Sequence, residues 1–411
     1  MKILLSASAF SHKWGSEPGV GWNWAMALSK DHEVVVLTHG YFRSHMQEHV
    51  DAHGPLPFRV IYQDMLPLRD VPDTVYMNST IHFLRWQWKL RPMVKELLKH
   101  ERFDLIHHLT LGTLRYPSFL QKLGVPMVAG PLGGGERAPV CLYQGLPWKI
   151  RIREMVRDLL IFSAAWDPVV NWAWGRTDLL ICRTKDSRKA MPWHVRKRTL
   201  VIQEIGCPPP DSAIAPVPAL PPQKGRLRCL SVGRVIGLKG LHIGLEAMAR
   251  LRERGITVEL NIIGDGDAQA HLEQQAERLG LSQQLKWLGK LPRDEVMRHY
   301  KDHDLVLFPS LHDSGGTVVL ESISQGCPVV CLDLGGPPHF IDNTCGRVVD
   351  VGSRSMSEVI DGLADALEGL AQNPDVLLGL RQGAIDQALR LSWTERVRGA
   401  YAQIREQLRI R

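Results

Sequence analysis

Residues 304–326 read DLVLFPSLHDSGGTVVLESISQG, and the fold class turns on how this stretch is read. Leu305 to Phe308 is a short unbroken apolar run, the pattern of a strand buried on both faces of a parallel sheet. Pro309 and Ser310 end it, and a loop with Asp313, Gly315 and Gly316 follows. From Thr317 to Ser324 the apolar residues Val318, Val319, Leu320 and Ile323 accompany Glu321 as in the start of a helix. Glycines between a strand and a helix let the backbone approach a ligand closely, and the N–H groups of the first helical turn, here from Thr317 and Val318 onward, point at it. Those donors and the helix dipole favour an anion, typically a phosphate. Asp313 precedes the turn and Glu321 follows, with seven residues between them. On one reading both acids reach hydroxyls of a ligand whose phosphate lies on the glycines, which outlines a nucleotide-sugar site. On the other, Asp313 is a solvated loop acid and Glu321 a surface helix residue.

The longer segment PSLHDSGGTVVLESISQGCPVV resembles the donor-site motif of retaining family-4 glycosyltransferases (glycosyl transferases group 1). That motif is close to PSxxEGFGxxxLEAMAxGxPVV, with two glutamates separated by seven residues. Here Asp313, one methylene shorter, replaces the first glutamate, and Glu321 matches the second. The resemblance implies that Glu321 bonds the nucleotide ribose and that Asp313, with Gly315 and Gly316, faces the sugar. It also covers VGRVIGLKG, where Arg234 and Lys239 match the cations that hold the donor diphosphate. Two cations at a helix start neutralise a pyrophosphate and the charge that grows on it as it leaves. Gly264 and Gly266 in IIGDGD match a further turn near the nucleotide, or simply shape that turn.

Upstream, the chain opens with strand-like 2–8 and 33–38 around the loop SHKWGSEPGVG and a helix expected from Trp22 to Lys30. This is the start of a doubly wound sheet. Gly15, Gly19 and Gly21 lie in that first loop, at the crevice end of the strand. Their spacing is not GxGxxG. The resemblance assigns such a loop to closure over donor phosphate and acceptor; a plain flexible turn is the other reading. DLIHH (104–108), VPMVAG (125–130) and DLLICRT (178–184) read as further buried strands. Gly133 to Gly135, Glu136 and Arg137 follow the second of these. Many family members carry a histidine there; this chain does not, and His108 at the neighbouring strand end is the candidate in its place.

Within the region from Asp70 to His100, Trp86, Leu90, Val94 and Leu97 fall at helical spacing among Arg85, Lys89, Arg91 and Lys95, with Pro92 as an expected break. Residues 148–176 place Lys149, Arg151, Arg153 and Arg157 before Leu159 to Phe162 and a tryptophan cluster. This stretch reads as a helix at a membrane interface or as a core helix. A Pro-rich segment to Pro222 follows, and near 206–225 it reads as a hinge. From Leu227 a second β–α series begins, and SWTERVRGAYAQIREQL closes the chain, with Trp393 expected to anchor it. The implied architecture is α/β, the GT-B fold of two Rossmann-like domains with a cleft between them. The expected domains are 1–205 for the acceptor and 206–390 for the nucleotide sugar, with 391–411 crossing back to the first.

The 411 residues suffice for two domains with real cores. No apolar run approaches the roughly 20 residues needed to span a bilayer. The seven cysteines complete no metal set, so reduced thiols and a cytoplasmic location are expected. Residues 1–200 hold 27 Lys+Arg and 17 Asp+Glu, a net +10; the remainder holds 23 and 26, a net −3. Ten of the twelve tryptophans also lie in the first 200 residues. A basic, Trp-rich half suits an anionic partner, either an inner-leaflet membrane surface or a lipid-linked phosphate; a solvated basic surface over an aromatic core, with a soluble acceptor, is the other reading. No nucleic-acid module is visible, so nucleic acid is not expected as a partner. The expected activity is transfer of a sugar from a nucleotide-diphosphate sugar to a glycan or lipid-linked acceptor, with no tightly bound cofactor and no metal. A non-catalytic sugar-nucleotide-binding subunit and a GT-B-fold epimerase are the alternatives.

Overall fold

Short, mostly apolar runs fold here into two parallel sheets covered on both faces by helices. The computed structural model describes residues 1–64, 80–216 and 221–410. Positions 217–220 of the expected hinge, and Asp70 with the rest of 65–79, lie outside the described residues.

The chain divides into two compact units. The first comprises Met1–Gly135, Leu160–Ile205 and Trp393–Arg411; the second comprises Glu136–Leu159 and Gly206–Ser392. The boundary expected at 205 is therefore interrupted: 136–159 groups with the second unit.

In the first unit β1 (Lys2–Ala7), β2 (Glu33–His39), β3 (Arg59–Gln63), β4 (Leu105–Thr110), β5 (Met127–Leu132), β6 (Leu179–Cys182) and β7 (Thr199–Val201) form one sheet. Its order is β3-β2-β1-β4-β5-β6-β7. Every residue of β4 and β5 is buried, including His107, His108 and Thr110 of β4, as for strands covered on both faces of a parallel sheet. The helices are α1 (Ser16–Leu28), α2 (Arg43–His53), α3 (Thr80–His100), α4 (Trp148–Ser163), which runs across the boundary, α5 (Pro168–Arg176) and α6 (Lys185–Ala190). Two expectations are corrected. Helix α1 starts six residues before Trp22, so Gly19 and Gly21 are helical rather than loop residues. Helix α3 runs unbroken through Pro92 and buries Trp86, Leu90 and Val94.

In the second unit β8 (Arg226–Val232), β9 (Thr257–Ile263), β10 (Leu285–Gly289), β11 (Leu305–Phe308), β12 (Val329–Leu332) and β13 (Gly346–Val349) take the order β10-β9-β8-β11-β12-β13. Helices α7 (Leu241–Glu253), α8 (Gln269–Arg278), α9 (Arg293–Asp302), α10 (Thr317–Ser324), α11 (Met356–Ala371) and α12 (Pro374–Arg390) cover it. The final helix, α13 (Trp393–Leu408), belongs to the first unit and packs on α1. Its anchor is Tyr401, fully buried, rather than the half-buried Trp393.

Both sheets reverse their strand order at one place, between β1 and β4 and between β8 and β11. The loops leaving the carboxyl ends at such a reversal diverge and open a crevice, where ligands of open α/β sheets bind.

Candidate functional site

At the reversal in the second unit, the loop after β8 and the loop after β11 are fastened together. Gly240 has φ 67°, and a Cβ there would stand 1.9 Å from the Pro309 carbonyl oxygen, so only glycine allows this approach. The Leu311 N–H donates to the Leu238 carbonyl at 2.8 Å. This fastening carries Lys239 to Asp313: Nζ lies 2.6 Å from Oδ2. The other carboxylate oxygen, Oδ1, accepts from the Gly315 N–H at 3.1 Å and the Gly316 N–H at 2.7 Å. Burial works against ionisation of Asp313, but the Lys239 charge and hydrogen bond and the two glycine amides outweigh it. They hold the carboxyl below the usual aspartate range. The ammonium also lies 5.1 Å from the centre of the Phe308 ring.

Asp313 therefore rests on the donors at the start of α10, where an incoming anion would sit. The short side chain explains this: aspartate reaches its own helix start by a local turn. The next two N–H groups, of Thr317 and Val318, have no hydrogen-bond partner among the described residues. Gly316 caps the helix in the left-handed conformation, with φ 65°.

Glu321 lies one turn further along α10. Arg293 on α9 approaches its Oε1 at 3.3 Å, and the Tyr300 hydroxyl donates to its Oε2 at 3.5 Å. Burial dominates and raises the Glu321 pKa, with Arg293 and Tyr300 pulling the other way. Neither partner shows a signal in the sequence, because their helix precedes the motif and resembles any amphipathic segment. Arg234 is exposed, with no side-chain hydrogen bond or ion pair among the described residues. Gly264 and Gly266 serve close packing: a Cβ at either would fall 2.0 Å or 2.2 Å from the carbonyl oxygens of Gly233 and Val235. They thereby fix the loop that carries Arg234. His312, beside Asp313, is a residue the sequence reading passed over. Its Nε2 lies 3.9 Å from the buried Glu136 carboxylate.

In the first unit the start of α1 is held by charge. Glu17 accepts from the Gly112 N–H at 3.2 Å and pairs with the Arg183 guanidinium. Arg183 also meets Glu204, Nε to Oε2 at 2.7 Å, and donates to the Pro131 carbonyl. Gly112 and Gly133 leave the space this arginine fills. Gly19 and Gly21 allow α1 to lie against the backbone at Trp14 and Ala9, while Gly15 faces open space before the helix.

His108 is corrected from a strand-end candidate to a core residue. It lies within β4, wholly buried, its ring centre 6.0 Å from that of Phe83. Burial, followed by the charge of His107, pushes its pKa down to about 3, so the ring stays neutral. Neither ring nitrogen has a hydrogen-bond partner among the described residues. Its neighbour His107 bonds the Gly130 carbonyl through Nε2 at 2.7 Å and the Tyr401 hydroxyl through Nδ1 at 2.8 Å. A carbonyl only accepts, so Nε2 carries the proton and Nδ1 accepts from Tyr401.

The fastened loops, the anion donors and Glu321 all fall within residues 218–374, which match the family model of glycosyl transferases group 1. This region is a group 1 glycosyltransferase domain. It contains Arg234, Lys239, Asp313 and Glu321 together. A D-inositol 3-phosphate glycosyltransferase of Corynebacterium urealyticum is 32% identical over 170 residues, 39% of each chain. The lipopolysaccharide core biosynthesis glycosyltransferase LpsE of Rhizobium meliloti is 30% identical over 176 residues, 43% of this chain and 48% of that one. The alignments thus span about two fifths to half of these relatives. Beyond the group 1 domain, the glycosyltransferase YqgM of Bacillus subtilis is 25% identical over 320 residues, 77% of this chain and 81% of that one, and the likeness to solved structures is one of fold. The structure of Anabaena HepE in complex with UDP and glucose superposes with a TM-score of 0.57 at 17% identity, over 99% of this chain and 100% of that one. The fold is GT-B.

Proposed function

We propose that this protein is a retaining glycosyltransferase that moves a sugar from a nucleotide-diphosphate sugar to a lipid-linked or polysaccharide acceptor in cell-surface glycan synthesis. The observation that carries the reading is the Lys239 ammonium beside the helix-start amides of Gly315 and Gly316, with Glu321 on the same helix. In the reaction Lys239 and the exposed Arg234 take the diphosphate and stabilise the charge that develops as the glycosidic bond breaks. The N–H groups of Thr317 and Val318 add two donors. Glu321 accepts from the ribose hydroxyls. Asp313 leaves its own helix start when the diphosphate arrives and turns to a sugar hydroxyl. No tightly bound cofactor or metal enters this reading. The nucleotide complex of HepE supports a nucleotide-sugar donor, and the lipopolysaccharide role named for LpsE supports a surface-glycan acceptor. The basic first 200 residues support an acceptor held at the anionic inner leaflet, with the enzyme cytoplasmic and peripheral. Among the described residues no helix is long and apolar enough to cross a membrane.

A panel of UDP-, GDP- and ADP-sugars, assayed for binding and then for nucleotide release with and without a lipid-linked glycan fraction, tests the proposal. Release that requires the acceptor, with product of the donor's anomeric configuration by NMR, is the expected result. Tight nucleotide binding without turnover would instead mark a sugar-nucleotide-binding subunit. Release without any acceptor, with a rearranged sugar, would mark an epimerase.

A further inference from the structure

Helix α4 is built inside out. Its buried face carries Ile150, Glu154, Asp158 and Ile161, so both of its carboxylates point into the protein. They are satisfied there: Arg157 pairs with Glu154 at 2.6 Å and with Asp158 at 3.2 Å, and the Tyr143 hydroxyl reaches Asp158 at 3.4 Å. The outward face carries Trp148, Ile152, Met155, Val156, Leu159 and Leu160, each between 50% and 66% exposed. Trp148, Ile152, Met155 and Leu159 follow the i, i+4, i+7, i+11 spacing of one helical stripe. Just beyond its end Trp166 is 75% exposed. Contiguous apolar surface of this kind marks an interaction site rather than ordinary scatter.

The charges beside the stripe select what covers it. Lys149 and Arg151 flank it on opposite sides, exposed and with no carboxylate partner among the described residues. The outward face has no acidic side chain at all, since Glu154 and Asp158 are turned in. A second copy docked face to face would set these cations against one another with nothing to balance them. An anionic phospholipid surface balances them and accepts the apolar stripe at once. The stripe from Trp148 to Leu160 covers about 18 Å at 1.5 Å per residue, too short to span a bilayer but suited to lying in its headgroup boundary.

We propose that α4 docks this protein onto an anionic phospholipid bilayer, lying flat with Trp148, Ile152, Met155 and Leu159 buried in the interface. The proposal builds on the reading of an inner-leaflet acceptor but uses none of the donor-site residues, so the two are separable by experiment.

The test is co-sedimentation of the full chain with vesicles of phosphatidylcholine alone and of equal parts phosphatidylglycerol and phosphatidylcholine. UDP-sugar binding is measured on the same preparations without vesicles. Binding to the anionic vesicles, weakened by salt, is expected. I152E/L159E alters two exposed positions, so its melting temperature should stay near that of the parent, while its partitioning should fall about tenfold or more. K149Q/R151Q should bind about fivefold more weakly and lose much of the salt dependence. If I152E/L159E melts early, the more conservative I152S/L159S, with the same loss expected, decides. Parent protein indifferent to both vesicle types, or variants that bind anionic vesicles as the parent does, would overturn the proposal. So would a concentration-dependent dimer abolished by I152E/L159E, which would give the stripe to a second copy. Donor binding without vesicle binding sinks the docking helix alone; vesicle binding without donor binding sinks the transferase reading alone.

Discussion

Two helix starts lie at the strand-order reversals of the two sheets, α1 after β1 and α10 after β11, and they put a carboxylate and a cation to different ends. At α1, one arginine meets two carboxylates: Arg183 with Glu17 and Glu204. The arginine and Glu204 are nearly inaccessible, and no positive charge is left over. At α10, one lysine meets one carboxylate, both side chains about one-fifth exposed, and the exposed Arg234 lies in the same loop as the lysine. The two further N–H donors at this helix start face no partner among the described residues. The first arrangement is a fastener; the second retains positive potential and is a receptor. A helix start at a sheet reversal is thus not by itself a site. The local balance of charge decides.

The contrast breaks first under removal of the arginine. Arg183→Met leaves the buried Glu204 carboxylate and the partly exposed Glu17 carboxylate without their cation and should cost about 3–5 kcal/mol of stability, read by chemical denaturation. Little loss would mean that the α1 cluster is no fastener. Lys239→Ala should act the other way round. The fold should persist, while turnover with the best donor sugar falls about 10²–10³-fold, equivalent to ~3–4 kcal/mol in the barrier. Near-normal turnover would remove Lys239 from the diphosphate site.

The smallest effect concerns the two acids of the donor motif, whose ionisation is biased in opposite directions. Asp313 lies below its ordinary range in the folded protein, so the stability it contributes is present above the unfolded value near 3.8 and is lost as pH falls through the folded one. Glu321 lies above its ordinary value of 4.5. The folded state then holds more protons than the unfolded chain in the window just above 4.5, and stability drops as pH rises through it. Glu321→Gln should therefore flatten the melting profile above about pH 4.5, by less than about 1 kcal/mol. Asp313→Asn should flatten only its acid end. The same slope in both variants would contradict the opposed environments.

The spacing of 304–326 was enough to place β11, α10, Asp313 and Glu321, because strand, glycine turn and helix are each local patterns. Partners from elsewhere in the chain were not legible. Glu17 and Arg183 are far apart in sequence, and nothing near either names the other. Gly19 and Gly21 looked like loop glycines because a glycine needed for close helix packing has the same letter as one needed for a turn. His108 misled for a related reason: a histidine late in an apolar run suits a strand end or a satisfied core equally. In α4 the period was readable but the orientation was not. Which face turns inward depends on Arg157 and Tyr143 satisfying Glu154 and Asp158, and only the fold supplies that pairing.

The division of the chain has a consequence for its birth on the ribosome. The polypeptide leaves the first unit after Gly135, re-enters it at Leu160, leaves after Ile205 and returns only at Trp393. At about 5–20 residues per second, the stretch 206–392 takes on the order of ten to forty seconds to emerge. Throughout that interval the nascent first sheet lacks α13, the face of α1 that receives it stays uncovered, and the His107 imidazole awaits the Tyr401 hydroxyl. The second unit has all its segments in hand first. Translation therefore completes the two halves in the reverse of the order in which they begin, and the late-closing seam along α1 is where a chaperone would find the half-made protein.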